Sequence, residues 1–209
     1  MPSAACADTD AAPALRALLV LIAHHPPADH VQRLQACLAH LTHGLAYGVV
    51  VNDHRPGEAV DALLPGAAMT VVQRANPGYG RAFNQLWQRW CQAHGEPPLG
   101  AVLITDLSWE SGCFEQLAAW LEQHPDVTAA MPELRFPDGR RQFLCKRNPT
   151  LLALISRRFI PRHLKRRRLR RYDHWYTMRD QPYSRVFASP YLSGCCLWMR
   201  GWEVQAIAF

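Results

Sequence analysis

Short apolar runs that break off in polar or glycine-rich residues, separated by stretches of helical periodicity, are what most narrows the folds open to this sequence. Residues 16–23, 46–51, 69–73 and 101–104 are rich in Val, Leu, Ile and Ala and lack polar alternation, which is how strands buried on both faces of a parallel sheet read. The first run stops at His24-His25-Pro26-Pro27, the second at Asn52-Asp53-His54, the third in the glycine-rich stretch 74–80 and the fourth at Thr105-Asp106. Between them, Val31, Leu34, Leu38 and Leu41 recur at helical spacing behind Asp29 as a cap. Phe83, Leu86, Trp87 and Trp90 do the same, as do Phe114, Leu117, Ala118 and Leu121 behind Ser111. A fifth short run, 128–131, completes the series. The order predicts an α/β fold: a Rossmann-like, mostly parallel sheet with helices on both faces, in which ligands sit at the carboxyl ends of the strands.

After Pro132 the rhythm changes. Pro137-Asp138-Gly139 predicts a hairpin turn, residues 150–159 a helix, and residues 191–199 a late apolar strand. With 209 residues, 49% of them hydrophobic, the chain has enough apolar surface for one domain, expected over residues 14–209. Residues 1–13 carry Asp8 and Asp10 without a positive segment ahead of an apolar one, so a disordered, unexported N-terminus is expected. No apolar stretch reaches the roughly 20 residues that cross a bilayer. Seven cysteines without a Cys-x-x-Cys pair fit reduced thiols in a cytoplasmic protein and argue against a zinc cluster. The histidines, His24 and His25 included, show no ligand spacing and are expected to do no more than make loops polar.

Charge is concentrated. Nine Lys or Arg and no acid lie between Arg157 and Arg171, more than the net +6 of the whole chain, so the remainder is net negative. Phe159, Ile160, Leu164 and Leu169 are interleaved with these cations. Such a segment suits a solvated charged face, an anionic membrane surface or a nucleic acid. No recognisable nucleic-acid module accompanies it, so no nucleic-acid partner is expected.

The strand ends hold the candidate chemistry. Asn52 and Asp53 offer acceptors to a nucleobase or ribose, or form a plain Asx turn. Gly78 and Gly80 permit positive φ and close backbone approach, and Arg81 and Asn84 follow on the first turn of the next helix, as in a phosphate or nucleotide pocket. Asp106 is an isolated carboxylate directly after a buried strand, placed to share a divalent cation with phosphate oxygens. Glu110 lies four residues on.

The stretches VVVND (49–53), RANPGYGRAFNQ (74–85), VLITDLSW (102–109), PDGRRQFLCKRNPT (137–150), RRFIP (157–161) and YLSGCCLWMR (191–200), in this order, resemble the family 2 glycosyltransferases of the rhamnosyltransferase type that build O-antigen, capsule or exopolysaccharide. The resemblance spans roughly residues 16–209. It implies a GT-A-type fold and transfer, with inversion, of a hexose or deoxyhexose from a nucleoside-diphosphate sugar to a glycan or polyprenyl-diphosphate-linked acceptor, assisted by Mg2+ or Mn2+. It assigns Asn52 and Asp53 to the nucleotide, Asn76, Gly78, Gly80, Arg81 and Asn84 to the donor loop, and Asp106 to the metal as the last residue of an Asp-x-Asp-type motif. Ile104 stands where that motif has its first acid. Ser193 and Gly194 match a Ser-Gly near the donor sugar and acceptor. The resemblance also implies an acidic segment carrying the catalytic base beyond the position of Phe209, so that the C-terminal part of the fold is expected to be missing; Glu203 is a poor substitute. The alternative reading is a non-catalytic fragment that binds nucleotide or membrane. A peripheral position on the inner face of the cytoplasmic membrane is expected through the basic segment.

Overall fold

A computed structural model describes residues 14–42, 44–161 and 166–207, without the side chains of Arg157 and Ile207. The expectation of a disordered segment 1–13, the basic-run residues Arg162, Leu164 and Lys165, and Phe209 lie outside the described residues. Six strands form one sheet: β1 (Ala17–Ala23), β2 (Leu45–Val51), β3 (Met69–Val72), β4 (Leu99–Ile104), β5 (Ala129–Ala130) and β6 (Cys196–Arg200). Their order is β3-β2-β1-β4-β6-β5. The first four run parallel, whereas β6 runs antiparallel to both β4 and β5. The expected mostly parallel sheet with helices on both faces is therefore present.

Alternation along each strand divides the core in two. Ala17, Leu19, Leu21 and Ala23 of β1 face one layer with Val49, Val51, Ala101 and Leu103. That layer is covered by α1 (Ala28–Leu38) through Val31, Leu34 and Leu38, and by α3 (Cys113–Gln123) through Phe114, Ala118 and Leu121. Leu18, Val20 and Ile22 face the other layer, under α2 (Tyr79–His94) and α6 (Gly201–Ile207), which contribute Phe83, Leu86, Trp87, Trp90 and Val204. Two strand glycines on this face make room for α2. A Cβ on Gly48 would meet Leu86 Cδ1 at 2.7 Å, and one on Gly100 would meet Trp87 Cζ3 at 2.4 Å. Central glycines usually weaken a strand; here they allow a large indole and a leucine to seat directly on the backbone.

The helix starts differ from expectation. Pro27 occupies the cap position of α1 and Asp29 lies inside its first turn, where a carboxylate still complements the helix dipole. Gly112, with φ 82°, caps α3 in place of Ser111. Thr150 does cap α4 (Leu151–Phe159), its side chain accepting from Ala153 N. The predicted turn closes with Gly139 N donating to Phe136 O and a bridge between Arg135 and Arg141. The late strand is shorter than the apolar run: Tyr191 pairs only in an isolated bridge with Lys146, and β6 begins at Cys196. At its far end Arg200 donates to the carbonyls of Leu121, Val127 and His124, closing the C-terminus of α3. α5 (Arg167–Tyr176) packs beside α4 away from the sheet. No helix among the described residues is long and apolar enough to cross a membrane.

Candidate functional site

The parallel register brings the polar strand ends to one edge. Ile22 of β1 pairs with Ile104 of β4, so His24 and Asp106, each two residues further on, leave the sheet side by side. Ala23 pairs with Val51, placing Asn52 and Asp53 on the other side of His24. β6 enters antiparallel, and Ile104 N donates to Cys195 O, which sets Ser193-Gly194 next to the end of β4. α2 starts at this same edge, because Tyr79 donates its hydroxyl to Gly194 O. Burial beside Cys195 and Cys196 pushes the Tyr79 phenol well above its ordinary range, so it stays a donor.

Gly78, Tyr79 and the following turn present a helix amino terminus. Gly78 has φ 92°, a conformation that favours glycine, and its carbonyl takes the first helical bond from Ala82 N. The amides of Tyr79, Gly80 and Arg81 precede that bond, as the unsatisfied donors of a helix start do. Gly80 differs from expectation in lying within the helix without a positive φ. Arg81 is exposed and makes no ion pair among the described residues. Asn84 sits a turn deeper, part-buried beside Trp87 and Gln88 in a groove between α2 and α6 rather than at the edge.

Asn52 is 2% exposed, and its amide is engaged on both sides: Nδ2 donates to Asn76 Oδ1 at 3.2 Å and Oδ1 accepts from Gln73 Nε2 at 3.2 Å. Asn76 Oδ1 also accepts from Gly78 N at 2.9 Å. Asn52 and Asn76 thus brace the glycine-rich loop against the end of β2. This arrangement gives Asn52 a positioning role, and leaves the exposed backbone of the loop and the half-buried Asp53 as the accessible groups.

Sequence spacing missed the strongest polar cluster. His25 donates from Nδ1 to Glu58 Oε1 at 2.6 Å and from Nε2 to Asp53 Oδ2 at 3.0 Å. The hydrogen bond to Asp53, then that to Glu58, holds the imidazole above its ordinary pKa, and the same bond holds Asp53 below the usual carboxylate range. His24, expected only to add polarity, packs its ring against that of His25 with centroids 4.4 Å apart. One ligand atom from each of His24, His25 and Asp53 lies within 4.8 Å of the others. The partners of His25 are 28 and 33 residues away, so no local motif announces them.

Asp106 is exposed and has no ion pair among the described residues. It belongs to no group of three metal-ligating side chains among them. A lone carboxylate does not fit a resident metal. It does fit a hard cation that arrives with a diphosphate, because Mg2+-type ions take one or two carboxylates and fill the remaining positions with phosphate oxygens and water. Glu110 is exposed in the loop before α3. Glu203 is at the opposite edge: β6 ends against Leu99, and Gly201 N donates to Pro98 O, so the first turn of α6 lies at the amino ends of the parallel strands.

Among solved structures, a mannosyltransferase from Pyrobaculum calidifontis, in complex with GDP-mannose and Mn2+, matches 95% of this chain with a TM-score of 0.58 at 16% identity. The fold is GT-A-like. The chain spans about half of that enzyme, 49% of its length. S. aureus TarS (residues 1–349) matches 63% of the chain and 41% of its own, with TM-score 0.47 and 14% identity. No protein-family model matches the chain, and no curated protein does. On this GT-A-like sheet Ser193-Gly194, the start of α2 and Asp106 stand together, with the His25 cluster adjoining them across β1 and β2.

Proposed function

We propose that this chain is the nucleotide-sugar-binding part of a glycosyltransferase resembling the family 2 rhamnosyltransferases. It moves a hexose or deoxyhexose from a nucleoside diphosphate to a glycan or polyprenyl-diphosphate-linked acceptor in cell-surface polysaccharide synthesis, at the cytoplasmic face of the membrane. The observation that carries this reading is the Tyr79–Gly194 hydrogen bond, which holds the amino terminus of α2 beside the end of β4, where Asp106 follows. A donor diphosphate laid there meets helix amides, the Arg81 cation and one carboxylate able to share a divalent ion.

The chemistry assigned to these residues is electrostatic. As the acceptor hydroxyl attacks the anomeric carbon and gives up its proton to solvent, the bond from that carbon to the diphosphate oxygen breaks and negative charge grows on the leaving group. Inversion follows when attack comes from the face opposite the diphosphate. The α2 amides and Arg81 stabilise the departing charge, while Ser193-Gly194 border the sugar. Asp106 would hold Mg2+ or Mn2+ arriving with the diphosphate, and that ion would supply further neutralisation. Asp53, accessible beside the buried Asn52, is the proposed contact to base or ribose through Oδ1, its Oδ2 being the atom bonded to His25. Gly78 lets the backbone approach the phosphates, Gly80 adds no Cβ in the first turn of α2, and Asn76 keeps the loop in place.

Calorimetric titration with UDP, dTDP and GDP tests the assignment. One of them is expected to bind more tightly with Mn2+ than without, and Asp106→Ala is expected to abolish that increment. Identical titrations of wild type and variant, with and without the metal, would remove Asp106 from the site.

A further inference from the structure

We propose that His24, His25 and Asp53 form a second metal site, distinct from the cation at Asp106 and selective for ions that favour imidazole, such as Zn2+ or Co2+. The ligand set decides the class of ion. Two imidazoles and one carboxylate suit Zn2+, Co2+ or Ni2+, whereas Mg2+ prefers oxygen alone.

Three features of the cluster support the site. First, the ligand atoms are already gathered within 4.8 Å of one another. Around one ion with bonds of about 2.1 Å, ligand atoms lie at most about 4.2 Å apart, a closure that rotation of the exposed His24 side chain supplies. Second, His25 has the outer partner that a ligating histidine needs. Glu58 Oε1 accepts from Nδ1 at 2.6 Å, which fixes the ring and aims Nε2 at Asp53. Glu58 Oε2 is buried without a hydrogen-bond partner among the described residues, so the bond from His25 Nδ1 is the one side-chain hydrogen bond this carboxylate makes among them. Third, the backbone presents both residues in an uncommon conformation. His25 and Asp53, with φ 46° and 53°, are two of three described non-glycine residues with positive φ.

Binding displaces a proton. The hydrogen now between His25 Nε2 and Asp53 Oδ2 leaves to solvent as Nε2 donates its lone pair to the ion; His24 and Asp53 provide the second and third bonds, and water fills the remaining position. The ion then pins the loop after β1 to the loop after β2.

Co2+ titration of the 209-residue protein, followed by visible absorption, tests the proposal. One equivalent is expected to bind with intense d–d bands of a low-coordinate site and to raise the melting temperature. His24→Ala and His25→Ala are each expected to weaken binding at least 100-fold. Glu58→Gln leaves all three ligands in place and is expected to weaken it about 10–100-fold, as loss of an outer-shell partner does. His40→Ala, at an exposed histidine elsewhere, and Asp106→Ala are expected to leave the spectrum unchanged. If His25→Ala fails to fold, the exposed His24 and the Glu58→Gln variant decide the matter. No Co2+ bound to wild type, or binding unchanged in His24→Ala or Glu58→Gln, would overturn the site.

Discussion

Trp198→Ala is expected to destabilise the protein by about 3–5 kcal/mol, the range for emptying a large aromatic site in a core. Trp198 is 0% exposed and lies edge-on to Phe114, with ring centroids 5.4 Å apart. Its neighbours across β6 are Ala101 on β4 and Ala130 on β5, so the indole is the one bulky group over two small ones. Neither alanine can move into the space left behind, which puts the cost toward the upper end. For a chain of this size that corresponds to a fall in Tm of roughly 10 °C. Trp202→Ala, at a residue 56% exposed on α6, is the matched control and is expected to change stability by no more than about 0.5 kcal/mol. Urea denaturation of the two variants measures the difference. Because β6 follows directly on Cys195, whose carbonyl holds the end of β4, Trp198→Ala is expected to weaken nucleotide binding as well.

The second large effect concerns the membrane. α4 exposes Leu151, Leu152, Leu154, Ile155 and Phe159 at 51–78% while, among its described side chains, only Ala153 and Ser156 are buried. Beside it, Arg166, Arg167, Arg168 and Arg171 are exposed on and before α5. Leu152, Ile160, Arg166, Arg168, Leu169 and Tyr172 line a cleft of about 400 Å3 between the two helices. Apolar side chains bordered by cations are the pattern of an interfacial segment, and each arginine near an anionic surface contributes about 1 kcal/mol. We therefore propose peripheral binding to anionic bilayers through this pair of helices. The triple variant of Arg167, Arg168 and Arg171 to Ala is expected to reduce co-sedimentation with anionic vesicles about 100-fold, since roughly 1.4 kcal/mol is tenfold. Wild-type binding should also fall steeply with salt, the attraction being screened over about 8 Å at physiological ionic strength. Equal co-sedimentation with neutral and anionic vesicles would contradict the electrostatic part.

Much of the sheet was legible because it rests on local signals. Leu18 to Ile22 are apolar at every position, and a run this short that ends at His24-His25-Pro26-Pro27 is how a strand covered on both faces reads. Direction was not legible: the run 191–199 looks like the other strands, yet β6 is antiparallel, because apolar content fixes burial and leaves polarity to the connections. Helix starts at Asp29 and Ser111 were misplaced by one or two residues, since Pro27 and Gly112 provide suitable backbone without a side-chain bond. At the site, Gly78 and Asp106 stood out as a turn former and a strand-end carboxylate. The burial of Asn52 did not, because its partners Gln73 and Asn76 reach it only once β2 and β3 pair. His24 and His25 were passed over for the same reason: their partners come from loops that adjoin only in the folded sheet.

A crystal structure of the protein with the tightest-binding nucleoside diphosphate and Mn2+ tests the central claim most directly. The account predicts the diphosphate at the carboxyl edge of the sheet, its oxygens on the amides at the start of α2 and its Mn2+ on Asp106, with the base or ribose toward Asp53. Nucleotide bound instead among the arginines between α4 and α5, with the edge at Asp106 empty, would contradict it.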